Sequence, residues 1–281
     1  MLRSPLRYPG GKSKLSKTII RYIPLFEEYR ELMVGGGSVF LKLLETFPER
    51  KYWINDLNSD LIAFWKTLKN RNLSLADEAE KLKLKYEDRG RTLFYLLKER
   101  DNWSGEFDTA LRFYILNMIS FSGLVDAGGY SQESFDYRFT FSAISRIRAF
   151  SGKLKNVRIT NHSFEKVLLK SGEDVFLYLD PPYFSQRSSK LYGSKGVYHT
   201  SFDHDLLRET LEKCNHKWLL SYDDSDYIRY LYREKSLYLA SMIGHYGMNN
   251  VGKDTAPVGK ELLIRNYELD TLESNSMLPV E

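Results

Sequence analysis

The feature that most constrains this chain lies between Leu32 and Asp56. A short apolar approach, Leu32-Met33-Val34, runs into Gly35-Gly36-Gly37-Ser38. Val39, Phe40, Leu43, Leu44 and Phe47 then mark one face of a helix that ends before Pro48. Tyr52-Trp53-Ile54 reads as a brief strand, closed by Asn55-Asp56. Strand, glycine turn, helix, strand and acid form the opening unit of a doubly wound α/β sheet. Glycines at a strand's carboxyl end let the backbone turn tightly and approach a ligand closely. A full dinucleotide fingerprint would place its third glycine at position 40, where Phe40 stands. Asp56 follows at about the ~20 residues that put a carboxylate on a nucleoside ribose. Gly35, Gly37 and Asp56 are therefore candidates for holding a nucleoside-bearing cofactor, with the nicotinamide dinucleotides and S-adenosylmethionine both open. The earlier Gly10-Gly11-Lys12-Ser13 is not a phosphate-binding loop, because the required leading glycine is Leu6.

The remaining pattern extends the α/β reading. Leu15, Ile19 and Ile23 place a helical stripe on Lys12 to Ile23, stopped by Pro24. From Leu61 to about Phe150 helical spacing dominates, as in Leu93, Leu96 and Leu97 and again in Leu111, Ile115 and Ile119. Strand signals resume at Val157 to Thr160, Val175 to Leu179, Lys217 to Ser221, Leu237 to Ile243 and Glu261 to Ile264, with a helix from about Asp203 carrying Leu207 and Leu211. The expectation is one discontinuous α/β domain, residues 1–60 and 155–270, interrupted by a mostly helical insertion at 61–154 and followed by a polar tail at 271–281. A single cysteine, Cys214, cannot form an internal disulfide. No apolar run approaches the ~20 residues of a membrane helix, and the first residues lack a signal peptide's apolar stretch. A cytosolic chain with no membrane contact is expected. Net charge of +4 is compatible with a polyanionic partner without requiring one.

The residues richest in chemistry are Asp180-Pro181-Pro182-Tyr183, delivered by the apolar run Val175 to Leu179. Each proline fixes φ and removes a backbone donor, leaving carbonyls free to point into a cleft. A planar exocyclic amine presents two N–H groups. Asp180 can accept one and a proline carbonyl the other, while the Tyr183 ring stacks on the heterocycle. Paired acceptors draw the amine's lone pair out of conjugation, so that a poor nucleophile can attack a methyl sulfonium. Adenine N6 and cytosine N4 both fit that description.

These motifs together resemble the Dam-type DNA adenine-N6 methyltransferases, with the target-recognition region inserted between the cofactor turn and the catalytic motif. Arg7 to Leu15 is similar to the family's N-terminal motif, which implies Tyr8 and Lys12 at the cofactor. Glu31 to Phe40 looks like its glycine motif, Asn55-Asp56 like the ribose-binding acid, Asp180 to Tyr183 like the catalytic motif, and Lys260 to Ile264 like the closing strand. The resemblance implies a Rossmann-like methyltransferase sheet, S-adenosylmethionine as cofactor, Asp180 near its sulfonium end, and base flipping in double-stranded DNA. It further implies Phe164 packed at the cofactor, although the family's usual Asp-Phe is Ser163-Phe164 here. A proline usual before the glycines is absent from Glu31-Leu32-Met33. Members that read GATC carry an Asn-Gly-Leu-Tyr-Arg-like segment; Phe121-Ser-Gly-Leu-Val-Asp126 lacks that arginine.

Specificity is expected in the insertion. Tyr130, Ser131, Gln132 and Arg138, on a glycine-rich loop from Gly128 to Arg138, have the chemistry of base-edge contacts. The segment carrying Arg187, Lys190 and Lys195 is expected to order on phosphates, which position without specifying. The five histidines lack cysteine partners at ligand spacing, so no metal is expected. A cytosine-N4 enzyme and a silent DNA-binding protein of the same fold are the alternatives. A monomer is the default, and a restriction endonuclease is a functional rather than physical partner.

Overall fold

The computed structural model describes residues 2–8, 10–184, 202–245 and 258–269. Among these residues seven strands form one sheet: β1 (Glu28–Glu31), β2 (Lys51–Asn55), β3 (Val157–Thr160), β4 (Val175–Leu179), β5 (Lys217–Asp223), β6 (Tyr238–His245) and β7 (Val258–Arg265). Their order is β3-β2-β1-β4-β5-β7-β6. The first five are parallel, whereas β7 runs antiparallel to both β5 and β6. Strand order reverses between β1 and β4, the switch point at whose carboxyl side such sheets bind ligands.

The helices are α1 (Ser16–Ile20), α2 (Ser38–Thr46), α3 (Ser59–Asn70), α4 (Asn72–Lys85), α5 (Gly90–Lys98), α6 (Glu106–Ile119), α7 (Gln132–Tyr137), α8 (Phe141–Arg148), α9 (Phe164–Leu168), α10 (His204–Glu212) and α11 (Asp226–Leu231). Alternation along the strands divides the core in two. Tyr29, Tyr52, Ile54, Phe176 and Tyr178 face α2 and the helices that intervene between β2 and β3, sharing one core with Phe40, Trp65, Leu97, Tyr114 and Phe139. Trp53, Leu177, Leu179 and Leu220 face the other way, with Val167, Leu207 and Ile228. The intervening helices thus continue the sheet's own core. α3 begins two residues before the expected boundary at residue 61 and is bonded to the sheet, Lys69 Nζ donating to Val157 O at 2.9 Å and Trp65 Nε1 to Gly35 O at 3.1 Å.

Three local expectations are corrected. The first strand is not the apolar Leu32-Met33-Val34 but the charged Glu28-Tyr-Arg-Glu31 before it. This sequence can be a central strand because its polar side chains are partnered. Arg30, 1% exposed, donates to Glu28 Oε1 at 2.7 Å and to the carbonyls of Val167, Lys170 and Ser171, and lies against the Trp53 ring. Glu31 accepts the Tyr29 hydroxyl at 2.5 Å. Burial without such partners would cost several kcal/mol per ion, roughly. Second, the helix expected over Lys12 to Ile23 is regular only at Ser16–Ile20, with i→i+3 bonds continuing the inward stripe through Ile23. Third, the loop read from Gly128 to Arg138 contains helix α7, capped where Ser131 Oγ accepts Ser134 N–H at 3.1 Å. Residues 271–281 and 185–201 lie outside the described residues.

Candidate active site at the carboxyl edge of the sheet

Four segments far apart in sequence converge where β1, β4, β5 and β7 meet. β4 carries its apolar residues into the sheet and releases Asp180 at the edge; the prolines then turn the chain so that Tyr183 folds back, 9% exposed, against Tyr222 of β5. Asp180 is gripped from two sides. Lys12 Nζ donates to both its oxygens, at 2.7 and 2.8 Å, and Ser221 Oγ on β5 donates to Oδ1 at 3.0 Å. The Tyr178 hydroxyl lies 3.0 Å from Ser221 Oγ, extending the chain of polar contacts beneath the sheet edge.

The Lys12 ammonium is also bonded to Gly10 O at 3.1 Å, lies 4.9 Å from the centre of the Tyr183 ring, and is 3.8 Å from Glu261 Oε1. Glu261, fully buried on β7, accepts the Tyr183 hydroxyl through both oxygens at 2.6 and 2.5 Å. Desolvation pushes the Glu261 carboxyl up to about 7; Lys12 pulls it down, while Asp180 and Asp223 push it up further. Asp223 stands opposite Glu261 in the β5–β7 ladder and accepts the Phe184 N–H at 2.9 Å. At the end of β1, burial pushes Glu31 up to about 8, opposed by the Tyr29 hydrogen bond and assisted by Asp180 and Asp56.

The glycine turn lies beside this cluster. Gly35 and Gly37 have φ of +46° and +66°, conformations that side-chain-bearing residues rarely adopt. The Tyr8 ring covers Gly35, where an added Cβ would come within 2.7 Å of it, and Trp65 covers Gly37 at 2.9 Å. Asp56 faces the turn: Oδ2 accepts Gly35 N–H and Oδ1 accepts Asn58 N–H, each at 3.0 Å, and burial raises its carboxyl to about 6. Tyr8, Gly35 and Asp56 therefore form one group, and Lys12, Asp180 and Tyr183 another. Pro181 is buried and Pro182 half-buried between strand and ring. Phe164 opens α9, half-buried, with its ring 5.8 Å from that of Phe202. Ser163 beside it is exposed.

The arrangement supplies buried acceptors, an aromatic face and a glycine turn braced by a carboxylate. That donor set fits a nucleoside-bearing cofactor at the turn: Asp56 retains lone pairs for paired hydroxyls, and Tyr8 offers an aromatic wall. Among the described residues no cluster of three metal-ligating side chains is present.

The residues read as DNA contacts divide. Tyr130 is half-buried against Phe94 and Phe135, with its hydroxyl on Gln132 Oε1 at 2.8 Å, and Ser131 caps α7. Gln132 and Arg138 are exposed. Arg187, Lys190 and Lys195 lie outside the described residues. Sequence reasoning missed Glu261, Ser221 and Glu31 as parts of the edge. A usable signal existed for Glu261, a lone carboxylate leading an apolar strand, since a buried polar group is the informative exception. It also missed Asn117, buried on α6, which accepts Arg7 N–H at 2.8 Å and donates to Arg7 O at 2.8 Å and Gly123 O at 2.9 Å. Arg7 in turn donates to Met118 O and Ser134 Oγ, tying the segment that bears Tyr8 and Lys12 to the helices.

A family model of D12 class N6 adenine-specific DNA methyltransferases matches residues 8–243. A DNA adenine methylase of Vibrio cholerae is 25% identical over 260 residues, covering 90% of this chain and 92% of that protein. The type II methyltransferase M.MjaIII of Methanocaldococcus jannaschii is 28% identical over 287 residues, covering 93% and 98%. A DNA adenine methylase of Serratia marcescens is 26% identical over 263 residues, covering 89% and 94%.

Proposed function

The chain belongs to the D12 class of N6 adenine-specific DNA methyltransferases, and from that premise we propose how its sheet edge performs the transfer and which segments meet the DNA. It is an enzyme that methylates adenine N6 in DNA. The observation that carries the residue assignment is the convergence of Lys12, Asp180 and Tyr183 at the switch point of the sheet.

We take the methyl donor to be S-adenosylmethionine, held by Tyr8, Lys12, Gly35, Gly37, Asp56 and Phe164, with Asp180 near its sulfonium end. When bound, it supplies a methyl group on a sulfonium, a carbon electrophile whose leaving group is a neutral thioether. Asp180 accepts one N–H of the adenine amine, and the carbonyl of Pro181 or Pro182 accepts the other. These two acceptors hold the nitrogen's lone pair away from the ring and aim it at the methyl carbon. The Tyr183 ring supports the face of the base. Once the N–C bond has formed, the nitrogen carries one proton too many, and Asp180 Oδ is placed to take it on the way to solvent. An adenine inside a duplex cannot reach Asp180, so the base is flipped out, at a cost of roughly a few kcal/mol for unstacking and unpairing.

Residues 1–60 and 155–270 are proposed as the catalytic domain and 61–154 as the reader of the target. Exposed Gln132 and Arg138 suit base edges. Tyr130 and Ser131 serve by packing and capping the segment that presents them. Phe121, 65% exposed, stands beside them, its N–H bonded to Gly129 O at 2.9 Å. Arg187, Lys190 and Lys195 are assigned to phosphates. The enzyme is proposed as a cytoplasmic monomer, with a restriction endonuclease of the same specificity as at most a functional partner. Among the described residues no helix is long and apolar enough to cross a membrane.

The test is direct. The protein is incubated with mixed-sequence duplex DNA and methyl-labelled S-adenosylmethionine, and the DNA is digested to nucleosides. Label on N6-methyladenosine is expected. Label on cytosine, or on no base, overturns the reading.

A further inference from the structure

The resting arrangement contains a conflict. The adenine amine needs an oxygen of Asp180, and the adenine ring needs the face of Tyr183. Lys12 occupies both, with its ammonium on the two Asp180 oxygens at 2.7 and 2.8 Å and 4.9 Å from the centre of the Tyr183 ring. The base and the ammonium cannot hold these positions together. Lys12 is 5% exposed, so an ammonium displaced without a partner would be a buried unpaired charge. Among the described residues, one other carboxylate lies within ion-pair reach: Glu261, with Oε1 at 3.8 Å.

We propose that Glu261 is a positioning residue that receives the Lys12 ammonium when the target base enters, thereby releasing Asp180 and the face of Tyr183. This inference rests on the adenine-methylating reading above and deepens it. The movement is about the difference between a 2.7 Å and a 3.8 Å contact, well within the rotameric freedom of a lysine with three donors. Gly10 O stays available throughout as a fixed acceptor. Glu261 meanwhile grips the Tyr183 hydroxyl, so the ring keeps its plane while the cation moves. The backbone frame is suited to such a shift, because Glu261 sits in a paired strand and Lys12 in a turn.

Among the described residues, the titratable groups facing Glu261 include Lys12 from the N-terminal segment, Asp180, Tyr183 and Tyr178 from β4 and its exit, and Asp223 from β5. Burial and the two aspartates raise its carboxyl to about 7, and only the ionised form can seat the ammonium. The seat is therefore lost as pH falls through that value.

Single-turnover methyl transfer at saturating DNA and S-adenosylmethionine tests this, using the full chain. E261Q keeps an acceptor for Tyr183 but removes the charge. It should slow transfer by about tenfold or more, the worth of one charge-assisted contact, and leave cofactor affinity unchanged. Wild-type transfer should weaken as pH falls through about 7, and E261Q should lack that limb. In a Lys12→Met background E261Q should cost nothing further, because its partner is already gone. Tyr183→Phe, which removes the hydroxyl and leaves the carboxylate, should keep the pH limb. Wild-type speed and an intact limb in E261Q would overturn the proposal, as would full additivity with Lys12→Met. Should E261Q not fold, Glu261→Asp carries the same test: the limb retained supports the charge, and the limb lost refutes it. A wild-type protein that labels no adenine fails the parent reading instead, so the two failures are distinct.

Discussion

The carboxyl edge of the sheet and the segment around α7 handle polar groups in opposite ways. At the edge, partners are buried and distant in sequence: Lys12 reaches Asp180 and Tyr183 reaches Glu261. Around α7, apart from the Arg7 bond to Ser134 Oγ, the side-chain hydrogen-bond partners among the described residues are near neighbours and mostly exposed: Tyr130 to Gln132, Gln132 to Asp136, Ser134 N–H to Ser131. Buried, long-range pairs strengthen one another in a low dielectric and leave a costly orphan when one member is removed. Local exposed pairs are replaceable by water and contribute about 0–1 kcal/mol each. Chemistry is thus held rigidly, while the surface assigned to reading DNA can change without endangering the fold.

The sharpest way to break this contrast is Asp180→Ala. Methyl transfer should fall by about a thousandfold or more, as for loss of a preorganised polar contact to reacting atoms, with DNA binding retained in gel-shift titrations. Near-normal methylation would remove the edge from the chemistry altogether. Asp56→Ala should come next, weakening S-adenosylmethionine binding by about 10- to 100-fold in calorimetric titration, since it deletes a charged acceptor at the glycine turn. Unchanged affinity would leave Asp56 a brace for Gly35 alone. On the other side of the comparison, Gln132→Ala and Arg138→Ala should each cost about tenfold in DNA affinity or site discrimination and shift stability by less than about 0.5 kcal/mol. A marked loss of Tm in either would place α7 with the rigid edge.

The smallest expected effect concerns pH. Burial lifts Glu31 from 4.5 to about 8, so between those values the folded chain holds a proton that the unfolded chain has released. Its contribution to stability is complete below 4.5 and lost as pH rises through about 8. Glu31→Gln should flatten that decline by several degrees of Tm in scans from pH 5 to 9. An unchanged slope would mean that Glu31 does not titrate in this range.

What could be read from the chain beforehand follows the same division. Val175 to Leu179 was legible as a strand to the residue because every position there is hydrophobic and buried, and Val157 to Thr160 because Val157, Ile159 and Thr160 are β-branched. The order glycine turn, acid, apolar strand, Asp-Pro-Pro-Tyr disclosed the sheet's working edge because each residue's role depends on local backbone geometry. β1 was illegible: Glu28-Tyr-Arg-Glu31 looks like surface until Glu28, Trp53 and the carbonyls at and beyond the end of α9 are known to surround Arg30. Glu261 and Ser221 escaped for the same reason, since a pairing across 78 or 41 residues leaves no periodicity to detect. Helix α7 escaped because a six-residue helix is fixed by its cap and its packing rather than by a stripe.

Asn117 finally bears on how a new specificity could be inherited. By clasping both backbone groups of Arg7, it makes the opening residues of the chain a lodger of the helices rather than of the sheet. A cassette of residues 61–154 moved between relatives would arrive without the strand of chain it was shaped to hold. The heritable unit of recognition is accordingly discontinuous: the helices travel with residues 2–8, or Lys12 is delivered to the wrong address.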